Sequence, residues 1–190
     1  MSVDSSAHHR VLILDFGSQY TQLIARRVRE QRVYCEIHPY NVSLEVIQEF
    51  NPKVLILSGG PGTVTDEDAP LPDPDVLNLG IPVLGICYGM QWMAHHLGGK
   101  VRPSGSREYG RAGIKLEATS PLYSGLSLEE EHRVWMSHGD HVTEVPSGFR
   151  ILAHSMDGVV ASMGDEARKF YGVQFHPEVV HSLCGEEMIS

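Results

Sequence analysis

An open, mostly parallel α/β sheet with helices on both faces is the fold this sequence predicts, with a small antiparallel layer from its C-terminal half. Three observations predict it. Val11–Leu14, Val54–Leu57 and Val83–Ile86 are short apolar runs of the kind that strands buried on both faces show. Helical patterns lie between the runs and give a βαβαβ rhythm, which implies a parallel sheet covered on both sides. The runs end in loops rich in glycine and serine, at the carboxyl ends of strands, where open α/β sheets bind ligands.

The elements follow in order. Residues 1–9 are a short polar lead-in, expected to be frayed, and residues 10–190 read as a single domain. Val11–Leu14 is the first strand. Ser18 is placed to cap a helix from Gln19 to about Glu30, with Leu23, Ile24 and Val28 on its apolar face. Arg26, Arg27 and Arg29 read most simply as its solvated face. Val33–Ile37 is the second strand. Ser43 caps a short helix through Phe50, and Val54–Leu57 is the third strand. An acidic, proline-rich surface loop over residues 66–75 leads to a helix near Asp73–Leu79. Val83–Ile86 is the fourth strand. Met90, Met93, Ala94 and Leu97 have helical spacing, and Gly98-Gly99 ends that helix. Beyond Val101, strands are expected at Ala112–Ala118, Val134–Ser137, Arg150–His154, Val159–Met163 and Lys169–Phe175.

Composition narrows the classes of function. A chain of 190 residues with 42% hydrophobic content can bury a sizeable core. The net charge of −9 argues against nucleic acid or an anionic membrane as partner. No apolar run is long enough to span a bilayer as a helix. The cysteines Cys35, Cys87 and Cys184 make no disulfide framework and suit a reducing, cytoplasmic location.

The chemistry concentrates in three stretches. Gly85-Ile-Cys-Tyr-Gly89 places Cys87 where a strand turns sharply into a helix, the form of a nucleophile elbow with cysteine at the apex. The helix that follows points its free N–H groups and positive dipole end at the sulfur, which favours the thiolate. Taken alone, Cys87 reads equally well as a small buried hydrophobe. Ser58-Gly-Gly-Pro-Gly62 follows the third strand, and its backbone N–H groups are uncovered by side chains. The N–H groups of Gly60 and Tyr88 fit the two donors an oxyanion hole requires, although an ordinary glycine turn explains the loop as well. A cysteine nucleophile needs a base, and the base needs an acceptor to fix its tautomer. In Gln174-Phe-His-Pro-Glu178, His176 and Glu178 are two residues apart and so point to one side of an extended chain. With 11 histidines in the chain, a structural histidine at a strand end is the simpler reading of His176 by itself. His138-Gly-Asp-His141 and His181-Ser-Leu-Cys184 lack the close ligand pairs of zinc sites, so no metal is expected.

Together these three stretches resemble the class I (triad-type) glutamine amidotransferases, over nearly the whole chain. Asp15-Phe-Gly-Ser-Gln-Tyr20, Tyr34-Cys-Glu36 and Trp135-Met-Ser-His-Gly-Asp140 are most similar to the glutaminase domains of the GMP synthase branch. The resemblance implies a flavodoxin-like fold and hydrolysis of glutamine to glutamate and ammonia through a cysteine thioester. In that reading Cys87, His176 and Glu178 are catalytic, and Gly60 and Tyr88 hold the oxyanion. Gly59, Gln91, Ser137, His138 and Gly139 bind the glutamine, and Asp140 and Tyr109 are weaker candidates for contacts. The implied partner is an ATP-dependent synthetase domain or subunit that aminates xanthosine monophosphate to GMP. No cofactor is expected in this domain; ATP and magnesium belong to the synthetase, whose phosphate loop has no counterpart here. The family pattern continues through a further helix, near whose start this sequence ends, so an excised domain is expected, or else a separate subunit. Two rivals are another Cys-His hydrolase, such as a γ-glutamyl hydrolase or a peptidase, and a non-catalytic docking module of a synthetase. Gln91 and the Ser137–Asp140 stretch argue against the first, and the complete Cys87, His176 and Glu178 set argues against the second.

Overall fold

A computed structural model describes residues 9–182 and residue 185, without the side chains of residues 106 and 107. Most of the expected lead-in, Cys184 and the expected start of a last helix lie outside the described residues. The chain alternates strand and helix first: β1 (Arg10–Asp15), α1 (Thr21–Glu30), β2 (Tyr34–Pro39), α2 (Leu44–Phe50), β3 (Val54–Leu57), β4 (Val83–Ile86) and α3 (Tyr88–His96). It then runs through β5 (Lys100–Leu116), β6 (Glu131–Glu144), β7 (Arg150–Ser155), β8 (Val160–Asp165) and β9 (Phe170–Val173). All nine strands form one sheet in the order β2-β1-β3-β4-β9-β8-β7-β5-β6. The pairs from β2 to β9 are parallel, and those from β9 to β6 are antiparallel. The antiparallel strands therefore extend the same sheet.

Alternation along the strands builds two cores. Ile13 and Ile56 face one side with Ile24, Ala25 and Val28 of α1. Leu12, Leu14, Leu55 and Leu57 face the other, with Ile47 of α2 and Met90, Met93 and Ala94 of α3. Burying an aliphatic side chain of this kind contributes about 1.5–3 kcal/mol. Tyr88–Ala94 is buried all the way round, so α3 is a central helix and not a one-sided surface helix.

Local signals explain the ends. Ser43 caps α2, its hydroxyl accepting from the Val46 amide at 3.4 Å. Ser18 does not cap α1: its hydroxyl accepts from Tyr20 N at 3.0 Å, in the turn before the helix begins at Thr21. The helix expected near Asp73–Leu79 is a 3-10 turn at Pro74–Asn78, capped by Asp73. Strands β5 and β6 run well beyond the expected Ala112–Ala118 and Val134–Ser137. Their pairing reaches back to Lys100 and out to Glu144, with a register shift between Pro103 and Glu108. Proline, serine and glycine over 103–105 erase the alternation that marks a strand, and that end of the ribbon is largely exposed. Among the described residues, no helix is long and apolar enough to cross a membrane.

Candidate active site

Cys87 sits between β4 and α3 with φ +52° and ψ −107°, a left-handed conformation that a residue with a side chain rarely adopts. The turn closes so tightly that its flanking positions must be glycine. A Cβ at Gly89 would lie 2.4 Å from the Leu57 carbonyl oxygen, and one at Gly85 would lie 2.7 Å from Gly89 C and Met90 N. The Cys87 amide donates to the Val173 carbonyl at 2.8 Å, which fixes the apex against β9.

The chain leaving β9 brings His176 to the sulfur. The His176 backbone N–H donates to Trp135 O at 2.9 Å, so the residue is held against β6. Its Nδ1 lies 2.8 Å from Glu178 Oε1. Glu178 is fully buried, and among the described residues its Oε2 has no hydrogen-bond partner. Burial pushes the His176 imidazole down, but hydrogen bonds and charge from Cys87 and Glu178 outweigh it and raise the group to about 10. That balance favours the protonated imidazolium at His176, between Cys87 and Glu178. Tyr20 packs edge-on over the His176 ring, with centroids 5.1 Å apart.

These groups open into a cleft of about 620 Å³. Its walls bring together Gly60, Cys87, Gln91, Tyr109, Ser137, His138, Gly139, Asp140 and His176, which are scattered over the sequence. Gly59 lies against His176 and Cys87, where an added Cβ would be 2.9 Å from His176 Cε1 and 3.4 Å from Cys87 Cβ. The Tyr88 side chain points away and donates to Pro70 O at 2.9 Å, while its backbone N–H opens α3, where amides have no intrahelical acceptor. The Ser137 carbonyl lies 3.5 Å from Cys87 Sγ. Gln91 is buried, with Nε2 donating to Asp140 O at 2.9 Å and to Gln174 Oε1 at 3.1 Å.

Both ring nitrogens of His138 are engaged by protein. Nδ1 meets Asp140 O at 2.9 Å, and Nε2 meets Glu108 Oε2 at 2.9 Å. A carbonyl only accepts, so Nδ1 carries a proton, and Nε2 is the nitrogen that faces Glu108. Burial pushes His138 below the usual imidazole range despite the opposing charge of Glu108.

Sequence reasoning passes over several residues here. Glu108 holds His138, Tyr20 covers His176, and Gln174 Nε2 approaches Cys87 Sγ at 3.6 Å. Arg27 reads from the sequence as part of a solvated face. Its Nε instead reaches across and donates to the Glu178 carbonyl at 3.2 Å. Gln174 and Tyr20 lie inside motifs that the sequence does display. Glu108 and Arg27 carry no local signal, because their partners are 30 and 151 residues away.

The model of the family described as glutamine amidotransferase class-I matches residues 12–190. The chain belongs to that family. Among its family relatives, the GMP synthase [glutamine-hydrolyzing] of Aromatoleum aromaticum is 54% identical over 190 residues, covering 97% of this chain and 36% of that protein. The protein of the same name from Geobacillus kaustophilus is 54% identical over 179 residues, covering 94% of this chain and 35% of that one. The chain thus spans about a third of the length of these curated relatives. A solved structure from Thermoplasma acidophilum, described as that of a GMP synthase subunit, superposes with a TM-score of 0.81 at 28% identity, covering 95% of this chain and 89% of that one. A glutamine amidotransferase from Thermotoga maritima, at 23% identity and TM-score 0.72, covers 90% of this chain and 77% of its own and shares the fold. The α/β architecture is that of class I amidotransferases.

Proposed function

We propose that this amidotransferase chain hydrolyses glutamine to glutamate and ammonia in the cytoplasm. It delivers the ammonia to an ATP-dependent synthetase domain or subunit that aminates xanthosine monophosphate to GMP. The observation that carries the reading is Cys87 at a strained elbow beside His176, which Glu178 backs, at the floor of a polar cleft.

The residues divide the work as follows. Cys87 Sγ attacks the side-chain amide carbon, and the carbonyl oxygen takes the negative charge. The N–H groups of Gly60 and Tyr88 hold that oxygen. His176 gives its proton to the departing nitrogen, and ammonia leaves a γ-glutamyl thioester on Cys87. Water attacks the thioester and yields its proton to His176; glutamate departs and the sulfur is regenerated. Glu178 keeps the imidazole oriented and stabilises its charge throughout. Gly59, Gln91 and the Ser137–Gly139 backbone hold the substrate. ATP and magnesium act in the synthetase partner.

Glutamate release from glutamine tests the proposal, comparing the chain with Cys87→Ala, with and without a GMP-forming synthetase domain and its nucleotides. Cys87-dependent release that rises with the partner is expected. No release under either condition, from demonstrably folded protein, overturns the catalytic reading. Equal release with and without the partner overturns the coupling alone.

A further inference from the structure

Gln174 follows β9, is fully buried at 0% exposure, and has no part in the reaction described above. Its side chain bridges two features of the site. Nε2 lies 3.6 Å from Cys87 Sγ, and Oε1 accepts from Gln91 Nε2 at 3.1 Å. Gln91 Nε2 also donates to the Asp140 carbonyl at 2.9 Å.

This chain of amides has one direction. The Asp140 carbonyl only accepts, so the NH2 of Gln91 must face it. The second hydrogen of that NH2 then requires an oxygen on Gln174. Turning Gln174 over would set two NH2 groups against each other, and turning Gln91 over would set two oxygens against each other. With both orientations fixed, the end of Gln174 that reaches the sulfur is a donor. A thiolate accepts such a hydrogen bond much better than a thiol does. The Ser137 carbonyl, 3.5 Å from the same sulfur, accepts from the thiol and so favours the protonated form, which leaves the Gln174 amide as the contact that favours the thiolate.

We propose that Gln174, locked by Gln91 and the Asp140 carbonyl, is a catalytic hydrogen-bond donor that holds Cys87 in its thiolate form. The role in attack rests on the glutaminase reading; the effect on the sulfur does not. It also gives Gln91 a second duty beyond substrate binding. On attack, the charge on sulfur passes to the substrate oxygen, and the hydrogen bond from Gln174 weakens as the S–C bond forms.

The test is the rate at which iodoacetamide alkylates Cys87, followed by peptide mass spectrometry from pH 5 to 10 without glutamine. Gln174→Leu removes the donor, and Gln174→Met does so at nearly constant volume should the leucine variant fail to fold. A hydrogen bond to a charged group sets the expected size: the midpoint of the alkylation–pH curve moves up by about one unit in either variant, so the rate falls about tenfold on the acid side of that midpoint and converges on the unmodified chain as pH rises. Gln91→Leu, which frees the Gln174 amide to rotate, gives a smaller fall of the same form. Unchanged rates across the range overturn the proposal. So does a fall that is equal at every pH, which would report altered access and not thiolate content. Failure of the glutaminase reading looks different: normal Cys87 alkylation with no glutamate released.

Discussion

Replacing Gly59 with alanine should silence the site while leaving the fold standing. Gly59 has no positive φ, so alanine adds no backbone strain there. The added methyl would lie 2.9 Å from His176 Cε1 and 3.4 Å from Cys87 Cβ. The ring therefore has to retreat by about 0.5 Å to reach an ordinary contact, and it has little freedom to do so. Glu178 holds its Nδ1 at 2.8 Å, Trp135 holds its backbone at 2.9 Å, and Tyr20 covers its edge. Crowding of this kind costs about 1–3 kcal/mol of stability. A displacement approaching 1 Å of a reacting group costs on the order of a hundredfold in rate, so a fall of about 10- to 100-fold in kcat is expected with a smaller change in KM. The assay is steady-state glutamate release beside urea unfolding. A cooperatively folded Gly59→Ala protein with the unmodified chain's kcat would refute the argument that the imidazole is confined against this loop.

Four further outcomes follow from the geometry. Cys87 holds φ +52° at a cost a glycine would not bear, so Cys87→Gly should be about 1 kcal/mol more stable than Cys87→Ala in urea unfolding; equal stabilities would mean the elbow stores no strain. Protonated His176 is the proposed acid and its value is raised to about 10, so kcat/KM for glutamine should hold through neutral pH and fall as pH rises through about 10. Glu178→Gln removes one of the charges that raise it, so this alkaline limb should move to lower pH, with kcat down at least a hundredfold; a limb that stays in place would contradict the assigned cause. At the other extreme, burial pushes the Asp165 carboxyl up, but Arg168 Nε at 2.6 Å and the amides of Ala167 and Arg168 outweigh it and hold it below its usual 3.8. A folded value below the unfolded one gives stability that is present above about pH 4 and lost as pH falls through the folded value. The melting temperature should thus drop more steeply below pH 4 for the unmodified chain than for Asp165→Asn, and parallel curves would count against that role.

The sequence shows those parts of the site whose chemistry is local. The strand-to-helix turn at Cys87 is visible because two glycines bracket it, and each proves to be required by a backbone atom within 2.7 Å. His176 and Glu178 are visible because their spacing alone lets them meet. Strands β1, β3 and β4 are continuous apolar runs because both their faces are buried. What stays hidden depends on contacts between distant segments. The end of the β5–β6 ribbon around residues 100–109 lacks apolar alternation because much of it faces solvent, yet the ribbon carries Glu108 to His138 and Ser137 to the sulfur. Arg27 looks like one of three solvated arginines until α1 packs beside the Glu178 turn. Gln174 sits in a motif whose histidine and glutamate attract the chemical reading, and only the folded chain shows its amide aimed at the Cys87 sulfur.

The central claim is that Cys87 carries the γ-glutamyl group. Acid quenching during turnover of labelled glutamine, followed by peptide mapping, tests it directly. Label on the peptide containing Cys87, absent from Cys87→Ala, is the predicted result. Glutamate accumulating with no label on Cys87, or with label on another residue, would contradict the account.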